Sequence, residues 1–337
     1  MQSERVVTLT DVARRAGVSL TTASKAINGQ DRISDQTRAR VLTAARELSF
    51  TPSRIARSLM SGRTGTVGLV VVDSHVHRFV LPILLGAEEA LADVDLSMVI
   101  ADARGDSARL RRIVERFAEQ KVDGVLVVGE NNALTPSVGR WLDRPVAYVY
   151  GETGAGAGDV VHVPDDRAGA REITEHVLDA GRARLGVITG PEPGRAVVER
   201  GRGIATALRE AGLGTVCPPL HGQWSQRSGR ALAERLLDLA PDVDAVVCGS
   251  DQIAVGVTEV LRASGRRIPD DVAVTGFDNW SLFAEECDPP LTSVDMNLRT
   301  LGAAAVRDLF GMIDARPVGG GVRLHACTLV VRGSTSA

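Results

Sequence analysis

The residues with the most specific chemistry lie near the N-terminus, in TLTDVARRAGVSLTTASKAIN, residues 8–28. Thr10 is a good N-cap residue, and Val12, Ala13 and Ala16 give one apolar face over a short helix. Gly17 permits a tight turn, and Ser19 then caps a second helix beginning at Leu20. On that helix Ala23, Ala26 and Ile27 recur at helical spacing and pack inward. Leu20, Thr21, Ser24 and Lys25 are left outward. Two short helices joined this way form a helix-turn-helix, whose second helix enters a DNA major groove N-terminus first. Ser34 caps a third helix, about 35–49, with Val41, Leu42, Ala45 and Leu48 as its buried stripe.

The charge distribution fits that placement. Residues 1–64 carry 11 Lys and Arg against 5 Asp and Glu, whereas the remainder carries 28 against 37. A basic head on an acidic body is expected when only the head meets a polyanion. Other chemistries find little support. There is no GxSxG, Walker or HExxH motif, so no catalytic residue and no cofactor is expected. His75 and His77 lack a third nearby ligand, which argues against a metal site. Gly154, Gly156 and Gly158 follow a strand but lead into another, VVHVP, not into the helix whose N-terminus would hold a pyrophosphate. Cys217, Cys248, Cys287 and Cys327 are at least 31 residues apart with no CxxC pair. That spacing fits a reducing compartment, not a zinc or disulfide framework. No apolar run approaches the ~18–20 residues of a membrane span, and the first residues lack a secretory signal. A soluble, cytoplasmic protein of two or three domains is expected from 337 residues, at roughly 100–200 residues per domain.

Between head and body runs FTPSRIARSLMSGRTG, residues 50–65. Pro52 ends the preceding segment, and Ser53 starts a helix through about Met60. Two turns are too few for a stable isolated helix, so this segment requires something to order it. TLTDVARRAGVSLTTASKAIN followed by PSRIARSLMSGRTGTVGLVV resembles the LacI/GalR family of bacterial transcription regulators. The resemblance covers nearly the whole chain. It implies a hinge helix that folds on operator DNA, with Leu59 wedged into the central minor-groove step and Arg54, Ala56 and Arg57 beside it. In the head it implies DNA contacts from Thr10, Ser19, Leu20, Thr21, Thr22, Ser24, Lys25, Asn28 and Ser34.

From residue 66 apolar strands alternate with amphipathic helices. Strand candidates are 67–72, 96–101, 123–128, 146–150, 160–163, 184–188, 244–248, 271–275 and 291–295. Helical segments are 106–120, 166–180, 196–211, 225–239, 250–264 and 297–314. Such alternation means buried parallel sheets with ligands at strand carboxyl ends. The pattern alone leaves open whether there is one sheet or two. The resemblance implies an N-terminal all-α helix-turn-helix domain, 1–51, a hinge, 52–65, and an α/β two-lobed effector domain of the type I periplasmic-binding-protein kind, 66–337. Lobe one is expected near 66–163 and 294–322, and lobe two near 164–293 and 323–333.

The resemblance also implies an effector pocket. VVERGRGIATAL places Arg200 as a ligand-contacting arginine, and HGQWSQRSG places Trp224 as an aromatic plate. CGSDQIAVG places Ser250 and Asp251 at a strand end, and VTGFDNWSLF places Asp278 as the polar anchor with Asn279 and Trp280 beside it. Where the chain departs from the family pattern, His77, Phe79 and Tyr150 are expected at the cleft, with Arg195 nearby. A carboxylate, a guanidinium and an aromatic plate together suit a sugar. SHVHRFVLP replaces the family's N-P-F-F, and Arg78, Arg195 and Arg200 leave a negatively charged effector such as a sugar phosphate open. The expected function is a dimeric repressor that reads an inverted-repeat operator under control of a small ligand. The rivals are a solute-binding receptor without a DNA role and an α/β enzyme.

Overall fold

A computed structural model describes residues 7–27, 33–50, 63–73, 77–92, 94, 96–130, 134–154 and 158–335. The chain divides into two compact units, Met1–Gly65 and Thr66–Ala337.

The first unit contains α1 (Leu9–Ala16), α2 (Leu20–Ile27) and α3 (Asp35–Glu47). The N-cap of α1 is Thr8, not Thr10. The Thr8 side chain accepts the Asp11 N–H while the Asp11 carboxylate accepts the Thr8 N–H, and this reciprocal box pulls the helix start back by two residues. Gly17 takes the left-handed conformation, φ 64°, and ends α1. Ser19 and Ser34 cap as expected, accepting from the Thr22 N–H at 3.1 Å and the Thr37 N–H at 3.3 Å. Val12, Ala13, Ala23, Ala26, Val41 and Ala44 form the core. Leu42, expected inward, is 42% exposed. The stripe of α3 runs through Val41, Ala44, Ala45 and Leu48, so Ala44 takes the place expected of Leu42. Asn28 and the hinge segment 53–60, with Arg54, Ala56, Arg57 and Leu59, lie outside the described residues, as does His75.

The second unit runs β1 (Thr66–Val71), α4 (His77–Ala92), β2 (Ser97–Asp102), α5 (Ser107–Glu119), β3 (Gly124–Val128), β4 (Val146–Val149), β5 (Val160–Pro164), α6 (Asp166–Asp179), β6 (Leu185–Thr189) and α7 (Arg195–Glu210). It continues with β7 (Leu220–His221), α8 (Gln226–Leu239), β8 (Ala245–Cys248), α9 (Asp251–Ala263), β9 (Ala273–Thr275), α10 (Ser281–Ala284), β10 (Ser293–Asp295), α11 (Leu298–Ile313), β11 (Gly321–His325) and β12 (Thr328–Val330). Among the described residues there are two parallel sheets, ordered β11-β5-β4-β3-β1-β2 and β7-β6-β8-β9, and an antiparallel β10-β12 pair. Each sheet core is a run of buried aliphatics, as parallel sheets covered on both faces require.

The expected lobe boundary is wrong at the C-terminus. Residues 323–325 lie in β11, which pairs in parallel with β5 and so belongs to lobe one; only the segment after it returns to lobe two. There Ser334 donates to the Val274 carbonyl and accepts the Thr292 N–H. The helix α11 is pinned to lobe one by α4. A Cβ at Gly86 would stand 1.8 Å from the Arg299 carbonyl, and one at Gly302 2.2 Å from the Ile83 carbonyl, so the two backbones touch.

A small polar network fastens β11 to its neighbours. His162 on β5 is buried, its Nδ1 2.9 Å from His325 Nε2 and its Nε2 3.1 Å from Asp308, which Arg323 also approaches at 2.9 Å. Burial, followed by the neighbouring imidazole, holds the His162 pKa below its ordinary value. The folded chain therefore binds fewer protons here than the unfolded one, and stability falls as pH drops below about 6.5. Urea unfolding at pH 7 and pH 5 checks this: His162→Gln makes the loss on acidification smaller than in the unsubstituted protein.

Candidate DNA-binding face and ligand cleft

In the first unit Ala23 and Ala26 turn α2 inward and leave Leu20, Thr21 and Lys25 exposed along one stripe, with Ser24 half-buried. The Ser19 and Thr22 hydroxyls lie 2.8 Å apart at the start of this helix. Thr10 is exposed on α1, and Ser34 is exposed but engaged as a cap.

In the second unit most of the expected ligand residues converge at the carboxyl ends of the two parallel sheets. Phe79 on α4 meets Tyr150, just after β4, with ring centres 5.0 Å apart. Tyr150 holds φ 63° and is buried, which pushes its phenol well above the usual range. Opposite them the loop after β9 carries Asp278 and Asn279, at φ 106° and 49°. Two consecutive non-glycine residues in the left-handed region cost about 1–3 kcal/mol each, so the surroundings must enforce them. They do: the backbone N–H groups of Asp278, Asn279 and Trp280 donate to the Val294 carbonyl, Ser293 Oγ and Asp251 Oδ2 at 2.9, 3.0 and 2.7 Å.

This arrangement reassigns several expected ligand residues. Asp251 is fully buried, accepts from Ser293 Oγ at 2.6 Å as well as from Trp280, and so anchors the loop. Burial and the adjacent Asp278 push its carboxyl up. Ser250 caps α9. Asn279 donates to Asp295 and accepts from Arg332, both elements of the framework. His77 opens α4, but its side chain lies outside the described residues.

The charges at the cleft are matched. Arg200 is buried under Phe277, with its guanidinium carbon 3.6 Å from the ring centre. It donates to Asp166 at 2.8 Å and to the Gly249 carbonyl at 2.6 Å, and lies 3.7 Å from Asp278. Arg195 reaches Asp166 at 2.9 Å and Glu152 at 2.6 Å. Arg78 donates to Asp278 at 3.1 Å and to Gln252. Burial raises the Asp278 pKa, while Arg78 and Arg200 pull against that rise. Trp224 lies against Gly190 and within 5.9 Å of the Arg200 guanidinium, which makes it a wall of the same site.

Asp166, Glu152 and Gln252 escaped the sequence reading. Asp166 carries a readable signal, a carboxylate opening a helix directly after a strand. Glu152 sits in a glycine-rich loop and carries none.

Two cavities adjoin these residues. One of about 410 Å³ is lined by Arg78, Phe79, Asp278, Trp280 and the start of α11. The larger, about 620 Å³, lies under α7 against Val187 and Val247, with Ile204, Leu208 and Phe277 among its walls. Its walls are mainly aliphatic, whereas the smaller one brings Asp278, Asn279 and Asp295 together with two aromatic rings and is the better polar site. Asp166→Ala leaves Arg195 and Arg200 without their shared buried carboxylate. The expected loss is about 3–5 kcal/mol, read as a lower urea midpoint for the full chain, and an unchanged midpoint contradicts the pairing.

Comparison with known proteins agrees with this architecture. Residues 8–53 match the bacterial regulatory proteins of the lacI family, and residues 174–335 match a periplasmic binding protein-like domain. The HTH-type transcriptional regulator CelR of Thermobifida fusca is 38% identical over 324 residues, 93% of this chain and 94% of that one. The solved transcriptional regulator CelR–cellobiose complex superposes with a TM-score of 0.69 at 34% identity, covering 97% and 99% of the two chains. The lac repressor dimer bound to operator and the anti-inducer ONPF shares the fold, with a TM-score of 0.77 at 24% identity over 99% and 100%. Head, two-lobed body and full-length relatives agree: the chain belongs to the LacI family and is a DNA-binding transcriptional regulator.

Proposed function

We propose that this regulator is a repressor whose cleft takes a neutral carbohydrate, and that occupancy of the cleft controls its hold on an inverted-repeat operator. Residues 1–51 read the DNA, 52–65 form the hinge, and 66–337 bind the effector and a second copy of the chain. On α2, Thr21 and Lys25 face base edges while neighbouring Arg groups supply a salt-dependent affinity for phosphate. Leu59 of the hinge acts as the minor-groove wedge.

The observation that carries the ligand class is charge matching. Arg78 faces Asp278, Arg195 faces Glu152 and Asp166, and Arg200 faces Asp166. A phosphate entering this site meets Arg195 and Arg200 already held by Glu152 and Asp166, and the Asp278 carboxyl besides, and so gains little net attraction. A pyranose suits it better: its hydroxyls donate to Asp278, and its C–H face lies on Trp280 or Phe79. The cellobiose complex of the CelR relative supports the same class. Asp251 and Asp166 are tied up in framework hydrogen bonds, which supports binding over turnover.

Dimerisation is supported by the free edge of the six-stranded sheet. β2 is its last strand, with Val99 and Ile100 exposed, and Leu81 and Leu85 are exposed on α4, which packs on β2. A second copy covering this edge buries those side chains and pairs two heads with two half-sites. Duplex DNA as partner favours a cytoplasmic location.

Calorimetric titration of neutral sugars, cellobiose first, against sugar phosphates tests the ligand class. Neutral sugars bind, and a bound sugar changes the affinity for a selected operator about 5–150-fold, the usual span of allosteric coupling. Asp278→Ala abolishes that response, read as the ratio of operator affinity with sugar to operator affinity without it. Binding of phosphorylated sugars alone, or a normal response in Asp278→Ala, contradicts the reading.

A further inference from the structure

A guanidinium stands in the cleft where the polar face of a ligand would stand. Arg78 belongs to lobe one, as the second residue of α4. Both of its side-chain partners belong to lobe two: Nη2 donates to Asp278 Oδ2 at 3.1 Å, and Nη1 donates to Gln252 Oε1. Its guanidinium carbon lies 4.3 Å from the centre of the Phe79 ring and 5.1 Å from that of Trp280. A flat polar group is thus held by aromatic rings and by a carboxylate with a carboxamide at its edge. That is how a binding site holds a flat hydrogen-bond donor.

Arg200 too lies on an aromatic ring with a carboxylate at its edge, and Arg195 is about as exposed at 17%, but of the three only Arg78 lines the smaller cavity. Arg200 is buried on Phe277 and fixed to Asp166 and Gly249, and Arg195 shares Asp166. The Arg78 side chain keeps 18% of its surface exposed, while the Asp278 that it contacts keeps only 3%. The 410 Å³ cavity is lined by Arg78, Asp278 and Trp280 together with Pro82, Asn297 and Thr300, giving the side chain space to withdraw.

We propose that Arg78 is the resident occupant of this subsite: without effector it satisfies Asp278 and Gln252 beside Trp280, and an effector binds there by displacing it. Two consequences follow from the geometry. The effector has to present donors to Asp278 and Gln252 together with a flat or C–H face for the rings, so Arg78 is a template for what the subsite accepts. Displacement also removes one direct link between the lobes and replaces it with the effector's own. The identity of the effector rests on the carbohydrate reading above; the displacement does not.

The occupancy lowers apparent affinity. If the subsite is vacant in about a tenth of molecules, the apparent dissociation constant is about tenfold above the intrinsic one. The test uses the full chain with Arg78→Ala, and Arg78→Met, which keeps an apolar stem, should alanine impair folding. Methylguanidinium, a free copy of the missing group, is titrated while thermal stability and tryptophan fluorescence are followed. Saturable binding is expected in the variant, and none in the unsubstituted protein or in Arg78→Ala combined with Asp278→Asn. Cellobiose then binds Arg78→Ala about tenfold more tightly than it binds the unsubstituted chain. Equal responses of variant and parent to methylguanidinium overturn the proposal, as does weaker cellobiose binding by the variant, which would make Arg78 an ordinary effector contact. If cellobiose binds neither protein, the carbohydrate reading fails while the methylguanidinium comparison still decides the displacement.

Discussion

A buried charge has to find a partner, and at the junction of the two lobes that requirement organises nearly everything else. Asp166, at the first residue of α6, is shared by Arg195 and Arg200. Arg195 reaches from lobe two to Glu152 in lobe one, and Arg78 reaches from lobe one to Asp278 in lobe two. Removing ions of this kind from water costs several kcal/mol each unless a well-placed counter-ion offsets it. The lobes therefore cannot settle at arbitrary separations, because each separation changes which charges are paired. A ligand in the cleft enters that arrangement as a competitor for hydrogen bonds, and this gives it leverage on the relation between the lobes.

The loop bearing Asp278 shows what holding one such charge requires. Its left-handed residues are kept in place by bonds from three successive backbone N–H groups, one of them to the buried carboxylate of Asp251. Asp251 in turn is held by Ser293 Oγ. A carboxylate that itself has no cation within its hydrogen-bond set thus fixes the position of another that does. Aromatic side chains stand beside these groups, Phe79 against Tyr150, Trp280 beside Arg78 and Trp224 beside Arg200.

Much of the fold was legible because its strands are buried on both faces. Runs such as VGLVVV and DGVLVV have one reading as continuous apolar strands, and the helices between them carry a regular stripe. The elements that escaped have weaker signatures. α4 runs apolar from Phe79 to Ala87 and contains Pro82, so it lacks both a clear stripe and an uninterrupted pattern. β11 is an edge strand with Val322 and Leu324 exposed, so nothing in its composition reveals that it crosses back to lobe one. The site was legible as residue types and not as roles. Arg200, Trp224 and Asp278 do converge, but Asp251 and Asn279 are framework, a distinction decided by partners such as Ser293 and Arg332 that lie far off in sequence. Thr10 yielded its capping role to Thr8 because the deciding residue was Asp11, three positions beyond the true cap.

The cross-lobe pairing is tested most directly by a double-mutant cycle on Arg78 and Asp278, with Arg78→Met, Asp278→Asn and the double variant unfolded in urea without ligand. If the pair links the lobes, the losses are non-additive, with a coupling of about 0.5–3 kcal/mol, the range found for residues in contact. Losses that add within about 0.3 kcal/mol, the behaviour of independent sites, would show that the two charges do not constrain each other and would contradict the account.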